Sequence, residues 1–132
     1  RQVQWARRNV PNARFICADM ADVELPASSF DAVVAFYSII HLPRDQHAAL
    51  LRSIAGWLRP GGLLTAAMTV GGGEGDHAYE EDWMGAPMYW SGFDSDTNKR
   101  LVEQAGLRII DAEELTDDPD DRFIWIVAKK PI

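Results

Sequence analysis

With 132 residues, the chain is long enough to fold as one domain around a substantial core. Its hydrophobic fraction of 47% and charged fraction of 25% are typical of globular proteins and argue against general disorder. Thirteen basic and 20 acidic side chains give a net charge of -7. Because Lys and Arg bind nucleic acids and anionic membranes, this charge argues against both kinds of partner and favours a small-molecule substrate.

The single cysteine and the first residue bear on the cellular location of the protein and on whether the chain is a fragment. Cys17 has no second cysteine to pair with, which excludes an internal disulfide, and its position in an apolar run predicts a buried thiol. No apolar stretch reaches the length of a membrane span and no segment resembles a signal peptide, so we expect a cytoplasmic protein. Arg1 stands inside a helical pattern without Met or a cap, and we therefore expect a fragment of a longer chain.

The first half of the chain has the apolar spacing of a helix, two strands and a second helix. The first helix stops at Pro11. Residues 14–18 are predicted to form a short buried strand, and residues 30–40 a second one. The continuous apolar centre of the second strand predicts cover on both faces, as in a parallel sheet. The helix after Pro43 carries one apolar stripe and ends at residues 60–62.

The second half begins with a third strand, residues 63–70, a mobile glycine-rich loop, residues 71–75, and an aromatic segment. Asp94 or Ser95 is expected to cap the next helix, which stops at Gly106. A short acidic turn joins two final strands and makes them antiparallel. These strands are predicted at residues 107–115 and 123–128.

This order of elements predicts an α/β fold with a Rossmann-like open sheet, mostly parallel, that ends in an antiparallel strand pair. In such sheets ligands bind beyond the carboxyl ends of the strands. The candidate site residues therefore follow three strands: Asp19 and Met20, residues 36–41, and residues 69–73.

Four segments, in this order and spacing, resemble class I S-adenosylmethionine-dependent methyltransferases that act on small molecules. The segments are Ala18-Asp19-Met20, Phe30-Asp31-Ala32-Val33-Val34, His41-Leu42-Pro43 and Leu58-Arg59-Pro60-Gly61-Gly62. The resemblance covers essentially the whole chain and implies S-adenosylmethionine as cofactor, a small-molecule acceptor and no metal. It also implies one methyltransferase-like domain, residues 1–132, that is incomplete at the N-terminus, because the family's glycine-rich turn would precede Arg1.

The resemblance assigns the cofactor to residues at the ends of two predicted strands: Ala18, Asp19, Met20, Phe36, Tyr37 and Ser38. The Asp19 carboxylate would accept a hydrogen bond from the adenine amino group. Phe36 would lie along the methionine part of the cofactor, and Tyr37 would border the methyl group that is transferred.

The resemblance also places two absent strands between residues 15–18 and residues 30–36. Without them the sheet would have two unpaired strand edges, a hazard for aggregation or strand swapping. We therefore expect either further residues of the protein or a second chain, in a homodimer or a strand-swapped assembly, to complete the sheet.

Two histidines and a possible metal cluster are the polar candidates. His41 follows a strand at the ligand-binding edge, where it could act as a general base or could order the loop through a hydrogen bond. His47 is predicted to be solvated. His77, with Asp76 and Glu80, has no strong metal-ligand spacing, so no metal site is expected.

The aromatic segment, residues 79–93, is a candidate lid that would contact the acceptor through Trp83, Tyr89 and Trp90. A satellite core beneath a long loop, or a partner interface, explains the same residues equally well.

Three functions are compatible with these patterns. The first is methyl transfer to a small molecule, and the second is a catalytically inactive, truncated methyltransferase-like module for binding or assembly. The third is another Rossmann-like nucleotide binder, such as half of a dehydrogenase. The final strand pair and the placement of Asp19-Met20 argue against the third.

Overall fold

The computed structural model describes residues 1–71, 77–118 and 121–132. Its helices and strands in chain order are α1 (Gln2–Asn9), β1 (Phe30–Phe36), a 3-10 helix (Ile39–His41), α2 (Arg44–Trp57), β2 (Leu58–Thr69), β3 (His77–Trp83), β4 (Ala86–Ser91), α3 (Ser95–Gln104), β5 (Arg108–Asp118) and β6 (Asp121–Lys129). No helix in these ranges is both long and apolar enough to cross a membrane.

The main sheet has the strand order β1-β2-β6-β5 in the described residues. β1 and β2 are parallel, β6 is antiparallel to β2, and β5 is antiparallel to β6. Three of the four strands therefore point the same way and only β6 is reversed. The α/β class and the antiparallel C-terminal pair are confirmed.

β2 follows α2 without a loop. The predicted helix end at residues 60–62 is three residues late, because α2 ends at Trp57 and the chain is already extended at Leu58. Gly61 has φ +80° and its N–H donates to the Lys130 carbonyl at 2.9 Å. A Cβ on Gly62 would lie 3.0 Å and 3.1 Å from two backbone carbonyl oxygens, so an added side chain would crowd the backbone here and glycine fits best.

The core lies between the sheet and the helices α2 and α3. Most of its fully buried members come from one stripe of each helix and one face of the strands: Leu51, Ile54, Leu58, Leu64, Ala66, Met68, Val102, Ile124, Ile126 and Ala128. The apolar stripe that the sequence shows on α2 is the surface that packs against β2. Removing this surface from water is the main favourable contribution to folding.

The opposite face of the sheet is open. Along β1 the buried Ala35 alternates with Val34 and Phe36, which are 59% and 42% exposed, and on β2 Leu63 is 40% exposed. The prediction that β1 is covered on both faces is therefore wrong. No other element in the described ranges covers this face as α2 and α3 cover the first one.

The predicted strand at residues 14–18 does not form. These residues have no ladder partner in the described part of the chain, and β1 lies at the edge of the sheet instead of beside them. A strand requires a neighbour for its N–H and C=O groups. The predicted burial of Cys17 is also wrong, because the thiol is exposed, and Ile16 beside it is 49% exposed.

Candidate functional site

The carboxyl ends of β1 and β2 meet at one edge of the sheet, because the two strands are parallel. Beyond β1 the chain turns sharply at Tyr37, which has φ +50°. The 3-10 helix that follows buries Ile39 and Ile40 in the protein and leaves Tyr37 and His41 exposed. A positive φ is costly for an aromatic residue, so the buried isoleucines hold the turn in a conformation that it would not adopt alone.

Two aromatic pairs connect the end of β1 with β6. The ring centroids of Phe36 and Trp125 are 4.6 Å apart, and those of Tyr37 and Phe123 are 4.9 Å apart, edge to face. Ala67 on β2 pairs with Phe36 on β1 and with Trp125 on β6. Because the Ala67 side chain is small, the two rings meet over β2. Phe36 and Tyr37 remain partly exposed, so both present apolar surface at the rim.

Asp19 lies in a turn of its own. Its Oδ1 accepts a hydrogen bond from the Ala21 N–H at 2.9 Å, and its carbonyl accepts one from the Asp22 N–H at 3.3 Å. Asp19 and Ala18 are exposed, whereas Met20 packs against the main core cluster. Within the described residues, the Asp19 Oδ2 atom has no hydrogen-bond partner, so it is open to a ligand.

Ser38 holds the start of the 3-10 helix through its backbone. Its carbonyl accepts the His41 N–H at 3.1 Å, and the residue is half-buried. This bond fixes the position of His41 relative to the end of β1.

His41 is bonded to the aromatic segment. Its Nδ1 lies 2.9 Å from the Tyr89 carbonyl oxygen, and its ring centroid is 6.3 Å from that of Trp90. A carbonyl oxygen only accepts hydrogen bonds, so Nδ1 must carry the hydrogen. In the neutral ring the basic nitrogen is then Nε2, and His41 is exposed. The hydrogen bond orders the loop and also assigns the nitrogen that would accept a proton.

The aromatic segment is a β-hairpin rather than the predicted loop. β3 and β4 pair in antiparallel register, with Tyr79 opposite Tyr89. The indole centroids of Trp83 and Trp90 are 5.8 Å apart, edge to face. At the tip, the N–H of Gly85, which has φ +86°, donates to the Asp82 carboxylate at 2.9 Å. Alternating side chains of the two strands give the hairpin an aromatic surface.

His47 is fully buried, and the prediction that it is solvated is wrong. Its Nε2 lies 3.1 Å from both the Leu42 carbonyl oxygen and the Ser91 Oγ, and the Ser91 hydroxyl donates to the same carbonyl at 2.5 Å. Burial lowers the pKa of His47, an effect that the hydrogen bond to Leu42 opposes. Its Nδ1 is buried without a hydrogen-bond partner, as expected for an unprotonated ring nitrogen.

The base of the hairpin is attached to the end of β2. Asn98 donates from Nδ2 to the carbonyls of Thr69 and Phe93, at 3.0 Å and 3.1 Å, and the Gly71 N–H donates to the Phe93 carbonyl at 3.1 Å. A Cβ on Gly92 would lie 2.7 Å from the Thr69 carbonyl oxygen. The hairpin therefore emerges from the same sheet edge as Phe36 and Tyr37.

The candidate metal cluster and the glycine-rich loop fall mostly outside the described residues. Residues 72–76 are not described, and neither is the side chain of His77. Elsewhere in the described chain, no group of three His, Cys, Asp or Glu side chains could hold a metal ion.

Comparisons with known proteins identify the fold. A 1,6-didemethyltoxoflavin-N1-methyltransferase of Burkholderia thailandensis is 17% identical, with a TM-score of 0.69 over 99% of this chain and 56% of its own. An S-adenosylmethionine-dependent methyltransferase of Clostridium acetobutylicum is 12% identical, with a TM-score of 0.72 over 98% of this chain and 69% of its own. Residues 1–62 match a protein family that is described as a methyltransferase domain. The chain has the class I methyltransferase fold. The predicted resemblance to class I S-adenosylmethionine-dependent methyltransferases is confirmed in the fold.

The methyltransferase fold also occurs in a similar structure of different activity. The [4+2]-cyclase SpnF is 18% identical, with a TM-score of 0.72 over 98% of this chain and 60% of its own. At such identities the likeness shows the fold alone, because one fold hosts many reactions. The chain spans 56% and 60% of the length of the Burkholderia enzyme and the cyclase. No curated protein sequence matches it.

Sequence reasoning missed the polar residues that attach the hairpin to this methyltransferase fold. His47 lies four and seven residues before Leu51 and Ile54, on the buried stripe of α2, and this spacing could have indicated its burial. Ser91 and Asn98 carry no comparable signal, because their partners are far away in the sequence.

Proposed function

We propose that this chain is part of an S-adenosylmethionine-dependent methyltransferase that acts on a small-molecule acceptor. The match of residues 1–62 to the methyltransferase domain, together with the fold, carries the proposal. The Burkholderia thailandensis structure contains 1,6-didemethyltoxoflavin and S-adenosylhomocysteine, which supports the cofactor and a small acceptor. The acidic composition of the chain also favours such an acceptor.

The residues predicted to bind the cofactor fit it chemically. In this proposal the unpaired Oδ2 of Asp19 accepts a hydrogen bond from the adenine amino group, and the backbone of Ala18 and Met20 borders the ring. Phe36 and Tyr37 offer apolar surface to the methionine part, with Ser38 beside them. When bound, S-adenosylmethionine supplies an electrophilic methyl group on a positively charged sulfur.

The hairpin and His41 act on the acceptor. Trp83, Tyr89 and Trp90 bind and orient it and exclude water, which accelerates a displacement that needs alignment more than acid or base. His41 Nε2 takes the proton that the attacking atom loses. The hydrogen bond from Nδ1 to the Tyr89 carbonyl keeps Nε2 unprotonated in the neutral ring.

Two further features belong to the proposal. The unpaired edge of β1 and the open face of the sheet support completion of the sheet by further residues or by a second copy in a homodimer. A cytoplasmic location is consistent with the fold and with the exposed cysteine.

Calorimetry with S-adenosylhomocysteine tests the proposal on the longest natural form of the chain. We expect binding that the substitution Asp19→Ala weakens at least about tenfold, since a charge-assisted hydrogen bond is removed. Asp22→Ala, in the same exposed turn, is the matched control and leaves the affinity unchanged. A folded protein without affinity for S-adenosylhomocysteine would contradict the proposal and favour the inactive binding module.

A further inference from the structure

One face of the hairpin combines two indoles with a carboxylate. In an antiparallel ladder, directly opposite residues and every second residue share a face. Ala78 is opposite Trp90 and Glu80 is opposite Met88, so Glu80, Met88 and Trp90 lie on the same face. Trp83 joins them through its ring contact with Trp90. We call the surface formed by Glu80, Trp83, Met88 and Trp90 the indole face.

The indole face is next to the candidate base. His41 lies 6.3 Å from Trp90, centroid to centroid, and its Nδ1 donates to the backbone of β4. The free Nε2 of His41 is therefore close to any molecule that stacks on Trp90. Trp83 is 41% exposed and Trp90 is partly exposed, so part of both rings remains open to a ligand.

The charge around the indole face is negative. Between His77 and Lys99 the sequence contains no Lys or Arg but has five carboxylates: Glu80, Glu81, Asp82, Asp94 and Asp96. Glu80 is exposed and makes no hydrogen bond or ion pair within the described ranges. The guanidinium of Arg44 is placed over the ring of Phe93, 4.3 Å from its centroid. On a face that carries both a carboxylate and two indole rings, a cation is attracted by the negative charge and by the negative faces of the rings.

We propose that the acceptor is a planar molecule with a basic nitrogen, which binds as a cation on the indole face with its charge beside Glu80. This inference rests on the proposed methyltransferase function and assigns its substrate class. The cationic nitrogen first gives its proton to His41 Nε2. Its lone pair then forms the bond to the methyl carbon, and the carbon–sulfur bond breaks with its electron pair passing to sulfur.

Binding of three naphthalene probes tests the charge preference directly, by calorimetry on the complete protein. The probes share one ring system and differ in charge: 2-naphthylmethylamine is a cation, 2-naphthalenemethanol is neutral and 2-naphthoate is an anion. We expect the amine to bind about tenfold more tightly than the alcohol, and the naphthoate to bind most weakly. Equal affinities for the amine and the alcohol, or a preference for naphthoate, would overturn the proposal.

Substitutions then test which side chains cause the preference for the amine over the alcohol. Glu80→Gln is expected to weaken the binding of the amine about fivefold and to leave the affinity for the alcohol unchanged, because the substitution removes the charge and keeps the size of the side chain. Glu103→Gln, an exposed carboxylate on α3 and not on the hairpin, is the control and changes neither affinity. Trp83→Leu weakens the binding of both probes, because part of the surface on which they stack is lost. A Glu80→Gln protein with the full preference for the amine contradicts the assignment of the charge to Glu80.

A parallel titration with S-adenosylhomocysteine separates the two proposals. Binding of S-adenosylhomocysteine without preference for the amine overturns only the substrate class. Preference for the amine without binding of S-adenosylhomocysteine overturns the methyltransferase function and leaves the cation-binding face.

Discussion

Ser91 on β4 and His47 on α2 both bind the Leu42 carbonyl oxygen, and the Ser91 Oγ lies 3.1 Å from the His47 Nε2. His41, six residues before His47, donates to the Tyr89 carbonyl two residues before Ser91. The segment between the two histidines is thereby attached to β4 at two points. These bonds hold β4, which carries Trp90, against the 3-10 helix that follows β1.

Removing the hydroxyl of Ser91 is expected to destabilise the protein. Ser91→Ala should lower the free energy of unfolding by about 1–2 kcal/mol, because a buried hydrogen bond to Leu42 is lost and His47 loses one partner. Urea denaturation measures the change. Ser53→Ala, a half-buried position on α2, serves as the control with an expected change within about 0.5 kcal/mol. Equal stabilities of the two variants would mean that Ser91 does not hold the hairpin.

Stability should depend on the protonation of His47. Burial lowers the pKa of His47, so the unfolded chain binds a proton more readily than the folded protein. The contribution of neutral His47 to the free energy of unfolding is fully present above about pH 6.5, the ordinary pKa of histidine. This contribution is lost as the pH drops through the lower pKa that His47 has in the folded protein. Urea denaturation between about pH 5.5 and 8 tests this, since carboxylates titrate mainly below that range.

The variant His47→Gln isolates this effect. It keeps a donor for the Leu42 carbonyl but has no group that titrates. We expect it to be less stable at high pH and to lose most of the dependence on pH. A slope that persists in His47→Gln would assign the effect to other groups.

Two substitutions at His41 separate its two roles. His41→Asn keeps a donor for the Tyr89 carbonyl but has no basic nitrogen, whereas His41→Ala has neither. If Nε2 is the base, both variants lower kcat about a hundredfold. Methyl transfer to a small-molecule amine, followed with the complete enzyme, measures this change. Full activity of His41→Asn would leave His41 with the ordering role only.

Two glycines should respond to alanine in opposite ways. Gly92→Ala places a methyl group 2.7 Å from the Thr69 carbonyl oxygen, and we expect a loss of about 1–3 kcal/mol of stability. Gly56 lies in α2 with open space around its Cβ position. Gly56→Ala should therefore stabilise the protein by about 0.5–1 kcal/mol, because alanine favours the helix. A neutral Gly92→Ala would show that the base of the hairpin can move away from β2.

Elements with local signals were predictable from the sequence. The Asp94 carboxylate accepts the Thr97 N–H at 2.8 Å and caps α3, as its position before the helical pattern predicts, and Gly106 ends that region with φ +90°. The antiparallel pair β5–β6 follows from the short turn between two apolar runs. In each case the residues that decide the structure are neighbours in the chain.

Burial and pairing were decided by the tertiary structure. Residues 14–18 have the apolar pattern of a strand but lack a partner strand among the described residues, and Cys17 is exposed for the same reason. His47 has the polarity of a surface residue but meets Leu42 and Ser91 in the interior. The sequence by itself determined the class I methyltransferase pattern and the cap of α3. Whether a side chain is covered, and by what, depends on residues distant in the chain, and only the folded structure brings those together.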